Sequence, residues 1–193
     1  MPAVSTTSDR ILDVAEGLVR TRGYEAFSYA DIANVLKIRK ASIHYHFPSK
    51  GELTLALAAR CRGVFAAQLA ALAREHTDPT RRLMRYIRLF QEALGEGDRM
   101  CLYGMLASDS ATLPEPVRLE VNGFFGDQER WLTQALVDGR VAGEFRFEGK
   151  PESAAAALLA GLEGAMLVAR TRRDVGYFAG VALRLVGALT SDA

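Results

Sequence analysis

The sequence predicts an all-α chain, with a small N-terminal helix-turn-helix head and a larger helical body. Three observations predict it. Apolar residues recur three and four positions apart in segment after segment, as on one face of an amphipathic helix. The breaks between segments fall at proline, glycine and capping residues. The stretch Ser28 to Leu53, SYADIANVLKIRKASIHYHFPSKGEL, holds a cap, a helix, a turn, a helix, a proline stop and a second cap in that order. That is the layout of two helices joined by a short turn.

Each element follows from its residues. Pro2 to Ser8 reads as a loose arm, and Thr6 or Thr7 caps a first helix with Ile11, Ala15, Leu18 and Val19 inward. Gly23 ends that helix. Ser28 with Asp31 three residues later gives a capping box, and Ile32, Ala33 and Leu36 form the inner face behind it. Lys37-Ile38-Arg39 is the turn, with Ile38 inward, and Lys40 to Phe47 is the second helix, with Ile43 and Phe47 inward. Pro48 stops it, and Ser49 with Glu52 caps a helix running to about Glu75, with Leu53, Leu57, Cys61, Val64, Phe65, Leu69 and Leu72 as its stripe. At 1.5 Å per residue that helix is roughly 40 Å long, enough to link head and body.

The body continues with an amphipathic helix from Thr80 to about Leu94, a turn at Gly95-Glu96-Gly97-Asp98 and a shorter helix from Arg99 to about Asp109. A long helix opens at Leu113-Pro114-Glu115-Pro116 and stops near Gly139, and Val141 to Gly149 is a partly extended connection. Pro151 suits the first turn of the next helix, and Asp174 caps the last. Glu163 is the sole charge from Ala154 to Ala169, and Arg184 the sole charge from Val175 to Leu189. Helices apolar nearly all round must be buried, and so short a chain cannot bury both by itself. At about 25 cal/mol per Å² of apolar area, association wins. This predicts a symmetric homodimer through the last two helices.

Composition narrows the function classes. The chain of 193 residues carries 24 Lys and Arg against 23 Asp and Glu. The cations are unevenly placed: Lys37, Arg39, Lys40 and Lys50 stand in a segment without acids, beside His44, Tyr45 and His46. Such a segment suits a phosphate backbone and base edges. There is no signal-peptide pattern at the N-terminus and no run of 18 apolar residues, so no membrane span is expected. Two cysteines make no disulfide framework, which fits a cytoplasmic protein. No phosphate loop, zinc spacing, catalytic dyad or metal set is present, so neither a cofactor nor a metal is implied and the chain does not read as an enzyme. A helical enzyme or an interaction module without DNA remains the alternative from another class.

The residues Ile11 to Leu57 resemble the DNA-binding domain of the TetR family of bacterial transcriptional regulators. The resemblance rests on Ile11-Leu12 with Ala15, Arg22-Gly23-Tyr24, Asp31-Ile32-Ala33, the run Ser42-Ile43-His44-Tyr45-His46-Phe47-Pro48-Ser49-Lys50, and Leu53. The sequence departs from the family at Lys37, where glycine is common, at Arg39, where a small hydroxyl residue often caps, and at Gly51, where glutamate is usual. The resemblance implies a head at residues 6–60, with its motif at about 28–47, and an effector-binding and dimerisation body at 61–190. It implies a ligand-responsive regulator, in the first instance a repressor, on a palindromic double-stranded operator. Lys40, Ala41, Ser42 and His44 would meet base edges. Arg39, Tyr45, His46 and Lys50 would meet phosphates, with Ser28 and Tyr29 touching the backbone from the preceding helix. A small, mostly apolar effector would sit among Phe65, Leu69, Ile87, Phe90, Cys101, Met105, Phe124, Phe125, Trp131, Leu162 and Met166. These residues equally suit a plain core. Glu163 is either a polar anchor for the ligand or an interface partner. Around Cys101 the run Cys101-Leu102-Tyr103-Gly104-Met105-Leu106-Ala107-Ser108-Asp109 resembles a subgroup that senses electrophiles or oxidants. A thiol sensor at Cys101 is therefore an alternative beside that of a small buried hydrophobe.

Overall fold

The computed structural model describes residues 6–95 and 98–190. Among these, every regular element is a helix: α1 (Thr7–Arg22), α2 (Tyr29–Leu36), α3 (Lys40–His46), α4 (Lys50–Glu75), α5 (Pro79–Leu94), α6 (Leu102–Ser108), α7 (Glu115–Val141), α8 (Pro151–Arg172) and α9 (Val175–Thr190). Most of the expected arm before Thr6, and Glu96 and Gly97 of the expected turn, lie outside the described residues. The chain divides into two compact units. One runs up to Gly63 and adds Leu102–Asn122, and the other comprises Val64–Cys101 and the chain from Gly123 onward.

In the first unit the helix starts are set by side chains. Thr6 accepts from the Asp9 N–H at 3.1 Å, while the Asp9 carboxylate accepts from the Thr6 N–H at 3.0 Å. The Asp31 carboxylate takes the Ser28 N–H at 2.8 Å and its hydroxyl at 2.6 Å. Ser49 and Glu52 exchange a third such pair, at 3.0 and 3.2 Å. Each reciprocal cap satisfies donors that the first helical turn leaves without partners. Ile11, Ala15, Val19, Ile32, Ile43, Leu53 and Leu57 then close a fully buried core. Leu18, expected inward, is only half-buried, and Leu12 is buried in the same face.

Gly23 ends α1 at φ 88°, and a Cβ there would lie 2.9 Å from the Asp109 carboxylate. That carboxylate accepts the Tyr24 N–H at 2.7 Å. The close approach is why glycine stands at the corner. The same short helix is tied to α4, where the Tyr103 hydroxyl donates to the Ala58 carbonyl at 2.6 Å. Helix α6 therefore holds the bend between α1 and α2 from outside the three-helix motif.

In the second unit, Asp78 accepts from the Arg81 N–H at 2.6 Å and Pro79 opens α5. The partly extended connection expected after α7 folds inward at Phe145. Phe145 is buried, and a Cβ on Gly139 would sit 2.0 Å from its ring, so only glycine lets α7 end there. Thr80 donates its N–H and hydroxyl to Glu144 at 2.9 and 2.6 Å. Helices α8 and α9 pack side by side across the turn at Arg173-Asp174, and a Cβ on Gly161 would meet Leu185 at 2.8 Å. Val64, expected on the inner stripe of α4, is 57% exposed. Two helices, Lys50–Glu75 and Pro151–Arg172, are long and apolar enough to cross a membrane by length and composition. The first follows the helix-turn-helix formed by α2 and α3 and carries Arg60, paired with Asp13 at 2.8 Å.

Candidate functional site

Helix α3 presents one packed edge and an open face. Ile43 is fully buried and Phe47 nearly so, which pins the helix. Lys40, Ala41, Ser42, His44, Tyr45 and His46 are exposed, and the Tyr45 ring is 85% exposed. An exposed aromatic ring on a helix without acids has no folding role. Arg39 is the N-cap of α3 and its side chain makes no capping bond, so its guanidinium stays available at the mouth of the helix. Lys37 ends α2 in the left-handed region at φ 56°. Nothing in that conformation rewards a lysine over the family's glycine except its charge.

Four expected contact residues have other partners. Tyr29 is buried, and its hydroxyl donates to the Phe47 carbonyl at 2.8 Å. Burial pushes that phenol up to about 12. Tyr29 therefore joins α2 to the end of α3 and does not offer its hydroxyl to a phosphate. Lys50 is half-buried, with Nζ 4.5 Å from the Tyr24 ring centre and 4.6 Å from that of Phe27. It also donates to the Glu25 carbonyl at 3.4 Å. Desolvation draws its pKa down, opposed by the nearby Glu25, Asp109 and Asp31. Lys50 is thus a cation–π staple at the α1–α2 corner. His44 Nδ1 lies 3.2 Å from the Pro48 carbonyl and the ring packs 4.7 Å from Tyr29. This fixes the His44 ring while leaving its outer edge exposed. Ser28 is exposed but its hydroxyl already donates to Asp31.

The second unit contains an aromatic cluster. Tyr86 of α5 stacks on Trp131 of α7 with centroids 5.0 Å apart and planes 20° from parallel. Phe90 lies 5.2 Å from Tyr86 and Phe65 6.4 Å, while Phe124 sits 5.5 Å from Phe65 and 5.6 Å from Phe125. Among the described residues, Tyr86 Oη, Gln128 Oε1 and both carboxyl oxygens of Glu163 are buried without a hydrogen bond of ordinary geometry. Desolvation pushes the Glu163 carboxyl up to about 7, offset in part by the Cys101 thiol turned toward it as a donor. Phe65, Phe90, Cys101, Phe124, Phe125 and Trp131 of the expected lining belong to this unit. Leu69, Leu162 and Met166 are buried there as core. Ile87 lines a separate open groove of about 640 Å³ with Arg81, Arg85, Arg88 and Val175. Met105 belongs to the first unit, its methyl 3.5 Å from a Cβ built on Gly23. Sequence reasoning missed Tyr86 and Gln128, although Tyr86 falls one residue before Ile87 on the inner edge of α5.

Cys101 has a carboxyl group for a neighbour and contributes to the field that raises the Tyr86 phenol. A reactive thiol needs an electropositive setting, so the surroundings of Cys101 do not support the thiol-sensor alternative. Cys61, half-buried, has its thiol pushed up to about 12 by burial, with the neighbouring Glu16 adding to the shift.

Known proteins share this arrangement. The sequence profile described as bacterial regulatory proteins, tetR family, matches residues 11–57, and that described as the tetracyclin repressor-like C-terminal domain matches residues 79–183. The transcriptional regulator AcuR of Cereibacter sphaeroides is 27% identical over 152 residues, 77% of this chain and 69% of that protein. The HTH-type transcriptional repressor DhaR of Mycobacterium sp. is 27% identical over 158 residues, 79% of this chain and 77% of that protein. A TetR-family regulator from Agrobacterium tumefaciens, known from its crystal structure, is 36% identical, with a TM-score of 0.91 over 95% of this chain and 97% of that one. Matched along both its head and its body, the chain belongs to the TetR family of bacterial transcriptional regulators.

Proposed function

We propose that this regulator is a cytoplasmic repressor that binds a palindromic operator as a homodimer and leaves it when a small, mostly apolar effector enters the second unit. The observation that carries the DNA reading is the open, acid-free face of α3, held rigid by Ile43, Phe47 and the Tyr29 hydroxyl. Lys40, Ala41, Ser42 and the outer edge of His44 are the base-reading set. Lys37, Arg39, Tyr45 and His46 are the phosphate set. Tyr29 and Lys50 support the set without joining it.

The dimer reading is supported by the outer face of α8 and α9. Ala157, Ala160, Gly164 and Leu167 are exposed at alternating spacings of three and four, and Leu167 is 55% exposed. Leu183 of α9 is 60% exposed, and Cβ atoms on Gly164 and Gly180 would meet nothing within 4 Å. Small residues beside leucines let a second pair of helices approach closely, giving an isologous four-helix contact. Two heads then face half-sites whose centres lie roughly 34–36 Å, or a multiple, apart. Helix α4 is continuous from the first unit into the second, so effector and operator affinities oppose each other through it, by about 1–3 kcal/mol in either direction.

A gel shift with the DNA flanking the gene tests the reading. A dimer-sized complex that weakens steeply with salt is the expected result. A chain that stays monomeric, or binds all duplexes alike, would overturn it.

A further inference from the structure

Among the described residues, the second unit buries Gln128 Oε1 and Tyr86 Oη without hydrogen-bond partners, and it offers the Glu163 carboxyl only the weak Cys101 thiol donor. Burial raises the Tyr86 phenol and the Glu163 carboxyl adds to the shift, yet the two groups do not hydrogen-bond. A donor held between them would satisfy both. Gln128 lies three residues before Trp131 on α7, hence on the same side of that helix, and Trp131 is stacked on Tyr86. The surroundings are ring faces: Trp131, Phe90 and Phe65 all lie within 6.4 Å of the Tyr86 centroid. Ring faces carry negative potential and attract cations.

We propose that this cluster of buried polar atoms and ring faces binds an organic ammonium ion with an apolar body. Its N–H groups would donate to Glu163, Tyr86 and Gln128, and its charge would rest against Tyr86 and Trp131. An alcohol has one donor for this set of acceptors and no charge for the carboxylate. A carboxylate ligand would meet Glu163 as a like charge in a desolvated site. The proposal rests on the reading of the second unit as the effector-binding part and names the chemical class of effector.

Trp131 is the one tryptophan in the chain and reports on its own neighbourhood. Ammonium compounds from benzylammonium to 4-phenylbutylammonium, each with its matched alcohol and carboxylate, are titrated into the full chain at pH 8 while Trp131 fluorescence is followed. The expected result is at least tenfold tighter binding of the best ammonium than of its alcohol, with the carboxylate weaker than both. In Glu163→Gln the ammonium and alcohol affinities should converge to within about twofold, with the melting transition retained. Equal binding of ammonium and alcohol by the native chain, tighter binding of the carboxylate, or no binding by any compound would each overturn the assignment. If alcohols bind equally well and release operator DNA, the effector reading stands and the cation assignment falls. If ammonium ions bind selectively and operator DNA stays bound, the assignment stands and the repressor reading falls.

Discussion

Inside the folded second unit the Glu163 carboxyl keeps its proton up to about pH 7, against an ordinary value of 4.5. Between those values the folded chain binds more protons than the unfolded one, so stability falls as pH rises through that window. Across about 2.5 pH units, at about 1.4 kcal/mol each, the loss amounts to roughly 3–4 kcal/mol. Glu163→Gln should remove that slope. Thermal melts of the two proteins should coincide near pH 4.5, and the variant should melt higher at pH 8. The neighbouring Tyr86 phenol, raised well above its ordinary value by burial, stays neutral in this range and does not reverse the sign. Lys37 offers a second measurement. It sits at φ 56°, where a Cβ is unfavourable, and Lys37→Gly should raise stability by about 1 kcal/mol in denaturant titrations. The same change removes a cation and should weaken operator binding. Two expected contact residues have intramolecular partners that the sequence did not show. Tyr29 and Lys50 look like surface donors when read along the chain. Their partners, the Phe47 carbonyl 18 residues on and the Tyr24 and Phe27 rings, come together only when the corner closes. A polar side chain between two buried helices has no periodic signature.

Helices were more legible than single side chains, because caps and periodic faces are local. The three reciprocal caps at Thr6, Ser28 and Ser49 stand where the pattern of hydroxyl followed by acid puts them. The Phe145 segment was not legible, since the one cue was Gly139, and a glycine near a helix end ordinarily reads as a stop. Gly139→Ala should therefore cost well above the ordinary glycine-to-alanine change, on the order of 1–3 kcal/mol, by displacing Phe145. For α3 the two classes of contact should separate by measurement. Ser42→Ala should change which operator is preferred, whereas Arg39→Ala should weaken all sequences alike and lower the salt slope by about one. Helix α6 gives a test away from any DNA contact. Asp109→Ala leaves the Tyr24 N–H without its acceptor, at a cost of about 1–3 kcal/mol. Hydrogen exchange at Tyr24 should rise with it.

For the whole molecule the two-part division was readable from the sequence, but its course along the chain was not. Residues 102–122 return to the first unit, held by the Tyr103–Ala58 and Asp109–Tyr24 hydrogen bonds. Neither bond leaves a trace in hydropathy. The last two helices were readable from their near-absence of charge; α5 packs on both, and their outer face stays exposed. Leu167→Glu combined with Leu183→Glu should leave each chain folded and separate. Sedimentation should report a monomer, and operator affinity should fall by several orders of magnitude, because one head alone binds a half-site.

The charge layout has a consequence for how the protein meets chromosomal DNA. A net charge of +1 over 193 residues gives almost no overall pull toward a polyanion. The acid-free run from Lys37 to Lys50 gives a local one. Diffusive encounters are then sorted by orientation: collisions through the rest of the surface rebound, and those through the recognition segment linger. Such a molecule spends little time adsorbed the wrong way round, and its search speeds or slows with intracellular ionic strength through that one patch.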